Sequence, residues 1–339
     1  MRTLPNERVL AALWVALLLV MPAATRAAPI YFSDKDANRI YRVVPGQPAQ
    51  LLLGGVDGLL DPRGVAVDIG AGKMYWAENG TRRIRRANLD GSGAQDLITT
   101  GLLGPSDIEL DLARGHLYWA DRDLNQIGRS NLDGSGVTVV RSGAGVSQPY
   151  FLTLDVPGGN VYWTDFDGGS IHVARLDGAG PVQNFLVGLR TRDVVFDPDP
   201  NGGYLYWADR DSHKIQRRRP ASTLLPEDLF TAEDGLNRPH GLVLDRAEGM
   251  LYWTDTDGRM VARGNMDGTG RPEILASQGL VGAWGVALAV PDPGGACVIG
   301  AVASWLLARR RRTFPPTRSR PLAFSRAAID LQCSAARES

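Results

Sequence analysis

Short apolar runs recur along the chain, each ending in an acid and a turn. One stretch shows the scheme: RGVAVD (63–68), the turn DIGAG, KMYWAE (73–78), the loop NGT, RRIRRANL (82–89), the hairpin DGSG and AQDLITT (94–100). Four strands are predicted. The Asp-Gly hairpin between the last two suits a tight turn, because glycine reaches positive φ without steric cost. Runs such as GVAV and LYWA are apolar without a break, the pattern of a sheet covered on both faces; strict alternation would mark one wet face. Apolar positions three and four apart over a dozen residues, the helical signature, are missing from this region.

The second strand of this unit is written six times: IYFSDKD (30–36), MYWAENG (74–80), LYWADRD (117–123), VYWTDFDGG (161–169), LYWADRD (205–211) and LYWTDTD (251–257). The tyrosines Tyr31, Tyr75, Tyr118, Tyr162, Tyr206 and Tyr252 are spaced 44, 43, 44, 44 and 46 residues apart. That period fits one four-stranded blade of a propeller. The Asp-Gly turn recurs at Asp133-Gly134, Asp177-Gly178 and Asp267-Gly268, and is replaced by RRRPASTLLPEDLF after Tyr206 and by VPGQPAQ after Tyr31. No first strand precedes IYFSD, whereas AWGVALA (283–289) is a first strand with nothing after it. Pairing the two closes the ring and removes both sheet edges. The fold class expected is all-β: a six-bladed β-propeller of four-stranded blades, closed by N- and C-terminal strands, over residues 28–290.

The residues of the phrase are read as structural. Tyr75, Trp76, Tyr118, Trp119, Tyr162, Trp163, Tyr206, Trp207, Tyr252 and Trp253 have the bulk to fill the gaps between blades. Asp121, Asp165, Asp209 and Asp255 end their strands, where a carboxylate accepts from loop amides. With each phrase following a strand that ends in Asp (Asp68, Asp111, Asp155, Asp197, Asp245), the repeats resemble the class B, or YWTD, repeats of the low-density lipoprotein receptor family across residues 29–290. Single-letter variants occur at Phe32-Ser33, Ala77-Glu78, Ala120 and Ala208. The resemblance implies a six-bladed propeller used for extracellular protein binding and not for catalysis. Those receptors flank the propeller with cysteine-rich modules, which this chain lacks, so an endocytic receptor role does not follow.

Both ends read as addresses. Arg2 and Arg8 precede the apolar run VLAALWVALLLVMPAA and the small residues of TRAAP, the order of a secretory signal over residues 1–27. Residues 291–312 carry Pro291-Asp292-Pro293, a short apolar run and Arg309 to Arg312, which resembles the PEP-CTERM sorting signal of bacterial envelopes. That resemblance implies an exosortase-like peptidase as a partner. Asp292 stands where such signals have Glu, and 27 residues (313–339) follow, Arg/Pro/Ser-rich and aperiodic, a composition expected to be disordered. The expectation is a secreted or envelope-associated protein whose membrane contact is limited to its terminal segments.

Bulk composition narrows the chemistry. The 339 residues carry 37 basic and 37 acidic side chains, so no net field favours nucleic acid. Forty glycines and 21 prolines suit a turn-rich β protein. Cys297 and Cys333 both follow the repeats, leaving neither a disulfide framework nor a thiolate metal site in the body. There is no GxSxG, HExxH or P-loop pattern, and neither cofactor nor metal is expected.

The loop into a first strand and the loop after the second lie on one face, because the chain goes out and back between them. The residue that begins each first strand therefore rings the channel mouth: Arg63, Ser106, Tyr150, Arg192, His240 and Trp284. The next position reads Gly64, Asp107, Phe151, Asp193, Gly241 and Gly285. Tyr, Trp and Arg are the residues that anchor interfaces, so this ring is the candidate binding site for an extracellular protein, peptide or glycan. A second ring, Asp36, Asp123, Asp167, Asp211 and Asp257, is read as turn aspartates, since an EF-type loop needs more oxygen ligands and a distal Glu. Two alternatives stand beside this. One is a lactonase-like hydrolase with a divalent metal in the channel, for which Asp107, Glu109 and Asp193 are the available acids. The other is a purely structural surface or matrix protein.

Overall fold

The computed structural model describes residues 28–165, 167–198 and 203–289. They form six four-stranded antiparallel sheets. The innermost strands are Pro62–Asp68, Pro105–Asp111, Pro149–Asp155, Thr191–Asp197, Pro239–Asp245 and Ala283–Leu288. The repeated phrase supplies the second strand of every blade: Lys73–Glu78, His116–Asp121, Asn160–Asp165, Tyr204–Asp209, Met250–Asp255 and Ile30–Asp34. The fold is a six-bladed β-propeller. Its ring closes where Ala283–Leu288 pairs antiparallel with Ile30–Asp34, Ile30 opposite Leu288 and Phe32 opposite Val286. Outer strands are shorter than the pattern predicts; RRIRRANL yields Arg83–Asn88 and AQDLITT yields Gln95–Ile98, because the residues beside the glycines form turns.

The core is a set of wedges between blades. Each tyrosine of the phrase packs against the tryptophan of the next blade: Tyr31 with Trp76, Tyr75 with Trp119, Tyr118 with Trp163, Tyr162 with Trp207 and Tyr206 with Trp253. The sixth wedge sets Tyr252 against Phe32, the aromatic that replaces tryptophan in the first phrase. Aromatic bulk repeated at one position thus fills six equivalent gaps, and each Tyr or Trp removes a large apolar area from water. The phrase acids hold the loops on one face. Asp34 accepts from the amides of Val281, Gly282 and Ala37, Asp121 from Leu103, Gly104 and Leu124, and Asp255 from Asn237 and Gly258.

Neighbouring blades are also tied by side chain to backbone bonds near the channel. In blades whose phrase carries a hydroxyl, that hydroxyl donates to the first-strand carbonyl of the next blade: Ser33 to Arg63, Thr164 to Arg192, Thr254 to Trp284. Two of the three blades that carry alanine there use a carboxylate instead. Opposite Ala120, Asp107 accepts from Leu152 N of the next blade at 3.0 Å, and in the blade of Ala208, Asp193 accepts from Leu242 N at 2.6 Å. Gly64 is required beside this arrangement, since a Cβ there would stand 2.6 Å from the Asp107 Cα.

Thr254 is fully buried, and its oxygen also accepts from Gly241 N at 2.8 Å. Thr254→Val keeps the volume and leaves both backbone groups unpaired, so it is expected to lower unfolding free energy by about 1–3 kcal/mol in urea titration. An unchanged midpoint would count against this inter-blade tie.

Candidate functional site

The innermost strands are interrupted where they meet the channel. Pro62 pairs with Glu78 and Val65 with Trp76, so Arg63 and Gly64 face the single residue Ala77. The same two-against-one step falls at Tyr150-Phe151, Arg192-Asp193, His240-Gly241 and Trp284-Gly285. Such bulges bend a strand and re-aim its side chains, and here they turn the ring residues toward the axis.

The ring does not stand open. Arg63, Ser106, Tyr150, Arg192, His240 and Trp284 are all buried. Tyr150, Phe151, His240 and Trp284 pack into a stopper, largely edge to face: ring centroids lie 3.6 Å apart for His240 and Trp284, 5.7 Å for Tyr150 and Trp284, and 5.1 Å for Phe151 and His240. Large side chains from three blades converge here, and Gly64, Gly241 and Gly285 lie where the backbones of neighbouring blades approach closely. Arg192 places its guanidinium 5.1 Å from the Tyr150 ring centre, and Arg63 sits 5.5 Å from that of Trp284.

Four of the six ring residues, Tyr150, Arg192, His240 and Trp284, border one cavity of about 280 Å³ above the stopper. Arg63 lies beside it, engaged by Asp61 at 3.0 Å. Ser106 is not part of it; its hydroxyl lies 3.3 Å from the carbonyls of Ala120 and Pro149, in the blade interface. The remaining walls are Lys35, Arg210, Arg238, Thr256 and Asp257, of which only Asp257 was singled out in the sequence. Lys35, Arg210 and Thr256 follow the phrase acid and Arg238 precedes a first strand, so the available signal was the basic residue after the phrase acid in SDKD and ADRD.

Four of the five acids of the second ring are engaged with bases. Lys35 pairs with Asp36, Arg122 with Asp123 at 2.8 Å, Arg190 with Asp211 at 3.5 Å and Arg238 with Asp257 at 2.9 Å. Burial, reinforced by Arg192, Lys35, Arg210 and Arg63, drives the His240 imidazole well below its ordinary pKa, so it is neutral. Burial also brings Arg192 down to about 10 and pushes Tyr150 up.

Further down the channel a separate cavity of about 180 Å³ is bordered by Asp107, Glu109 and Asp193 among Val, Leu and Ile side chains. Burial pushes all three carboxyls up, Glu109 to about 7, and Asp107 is raised further by Asp193. Among the described residues no three His, Cys, Asp or Glu side chains are placed to share a metal ion.

No protein-family model matches the chain, and no curated protein matches it either. Solved structures do. A chain of the nidogen/laminin complex aligns over 78% of this chain and 99% of its own length, with a TM-score of 0.68 and 22% identity. The likeness is one of fold. A streptogramin B lyase aligns over 64% of this chain and 69% of its own, TM-score 0.50 and 16% identity. A catalytically inactive virginiamycin B lyase from Staphylococcus aureus with quinupristin aligns over 76% and 87%, TM-score 0.53 and 16% identity.

Proposed function

We propose that this chain is an exported binding module that recognises a protein or peptide, or a glycan, through the loop face above the stopper. One observation carries the reading. Six positions made equivalent by the repeat hold Arg, Ser, Tyr, Arg, His and Trp, and four of them border one cavity whose floor keeps polar atoms without partners, His240 Nδ1 and Nε2 and Trp284 Nε1. A scaffold needs one residue type there. An unsatisfied buried donor costs free energy that a ligand can offset. One chain of the nidogen/laminin complex, a protein–protein assembly, has the same fold, which supports this direction.

Export rests on the leader-like residues 1–27, and envelope sorting by an exosortase-like peptidase on residues 291–312; both segments lie outside the described residues. A mature C-terminus mapped by mass spectrometry near Pro293 supports sorting, and an intact tail overturns it. The metal-dependent hydrolase draws only on Asp107, Glu109 and Asp193, two of which serve as inter-blade acceptors. No observation favours it over binding.

The test is binding of residues 28–290 to a peptide and glycan array beside a Trp284→Ala, Arg63→Ala, Arg192→Ala triple variant. Specific hits that a folded variant loses are the expected result. Hits that the variant keeps would move the site elsewhere. If the triple variant fails to fold, the Arg63→Ala, Arg192→Ala pair takes its place.

A further inference from the structure

Nothing in the sixfold repeat calls for the charge gathered on one side of the bowl. Lys35, Arg192, Arg210 and Arg238 border the cavity against a single acid, Asp257, which Arg238 engages, while Lys35 is paired with Asp36. Lys35 leans over Trp284, its Nζ 5.0 Å from the ring centre. Arg210 forms no ion pair among the described residues. On the floor His240 is 3% exposed and neither ring nitrogen has a hydrogen-bond partner. Four cations beside two paired acids leave an excess of positive charge around a buried, unpartnered imidazole in a partly desolvated space, and an anion relieves it.

We propose that the bowl binds a carboxylate, taken by Arg210, Arg238 and Lys35 at the rim and reaching His240 at the floor. The inference rests on the reading of this face as a binding site and narrows its ligand class. Guanidinium groups present paired N–H donors that match a carboxylate's two oxygens. A cavity of about 280 Å³ admits a group the size of one side chain or one sugar. The unpartnered His240 nitrogens supply a further donor at its inner end. Asp257 is the built-in competitor, and an entering carboxylate shares Arg238 with it.

A consequence concerns protons. The charged and titratable groups that face His240 are Lys35, Arg63, Arg192 and Arg210, with Tyr150 and Asp257 at the wall and Asp193 beneath, bonded to Leu242 N. Burial, reinforced by the cations, holds the imidazole neutral. A carboxylate beside it favours the charged form, so binding takes up a proton and tightens as pH falls toward the ordinary histidine range near 6.5.

The experiment is calorimetric titration of the full chain with N-acetylaspartate and with glucuronate, beside the uncharged N-acetylasparagine and glucose. At least one acid binds saturably, about tenfold or more tighter than its neutral counterpart, and roughly threefold tighter at pH 5.5 than at pH 7.5. Binding to N-acetylaspartate alone marks a peptide source, to glucuronate alone a glycan source, and either supports the proposal. The Lys35→Ala, Arg210→Ala variant, folded by thermal melting, loses about tenfold in affinity, and His240→Gln flattens the pH dependence. Equal binding of the neutral counterparts, no saturable binding of either acid, or a charge variant that binds normally would overturn it. Array hits lost in the triple variant but indifferent to acid content leave the binding face standing and remove only the carboxylate.

Discussion

A chain ended after residue 282 is expected to lose its cooperative unfolding transition, while a permuted chain with residues 283–289 joined by a short linker ahead of Ala28 keeps it. The strand Ala283–Leu288 is buried at every position. Val286 and Leu288 pack into the wedge that holds Ile30, Phe32 and Tyr252. Its removal strips Gly285 N from the Ser33 hydroxyl and leaves Val281 and Gly282, whose amides bond Asp34, at a free chain end. Trp284, Val286 and Leu288 each contribute about 1.5–3 kcal/mol of burial, a sum comparable with the roughly 5–15 kcal/mol stability of a whole domain. The exposed edges left behind invite pairing between chains. The permuted chain tests the same idea from the other side. It presents the innermost strand and the phrase as a hairpin, the order of the other five blades, and Ala289 N already bonds Pro29 O at 2.8 Å. Equal urea midpoints for the truncated and intact chains would sink this account of closure.

The second large effect is a stability that rises as the medium becomes mildly acidic, traced to Glu109. Its carboxyl is raised from 4.5 to about 7, chiefly by burial in the channel. A carboxyl whose folded pKa exceeds its unfolded value holds its proton more tightly in the folded state. Its contribution is full below the unfolded pKa and is lost as pH climbs through the folded one, here between about 4.5 and 7. At pH 8 the loss amounts to about 3 kcal/mol at 1.36 kcal/mol per unit. Asp107 and Asp193 act with the same sign. His240 acts with the opposite one, since a depressed histidine stabilises above its unfolded pKa and costs stability below it. Comparing Glu109→Gln with the parent cancels that opposing term. The variant is expected to gain on the parent at pH 8 by about 3 kcal/mol and to show little difference at pH 4.5. Urea curves whose difference stays constant across that range would show that Glu109 is solvated in the channel.

The blade count and the closure were legible because each repeat carries its own turns and apolar strands within about 44 residues. Asp107 and Asp193 were harder to read. They stand at a position filled elsewhere by Gly64, Phe151, Gly241 and Gly285, and as acids they suggest chemistry. Their blades, however, carry Ala120 and Ala208 where Thr164 and Thr254 supply a hydroxyl. The acid compensates a missing inter-blade bond, and the pairing is visible in the sequence once the register is known. Ser106 shows the limit of alignment by position: it shares the ring position with Tyr150 and His240, yet its short hydroxyl is spent on backbone in the blade interface.

By itself, then, the sequence determined the all-β class, the six blades and the strand that shuts the ring, all consequences of local periodicity and turn chemistry. Only the tertiary structure decided what the ring does at its centre. Six equivalent positions compete for one narrow channel. The three largest neighbouring aromatics, Tyr150, Phe151 and Trp284, take the axis, with His240 locked against them. The basic residues that border the bowl come from parts of the chain far apart in sequence, Arg192 from a first strand and Lys35, Arg210 and Arg238 from loops. Their convergence is set by the loop conformations and side-chain packing at the channel mouth, which repeat spacing does not specify.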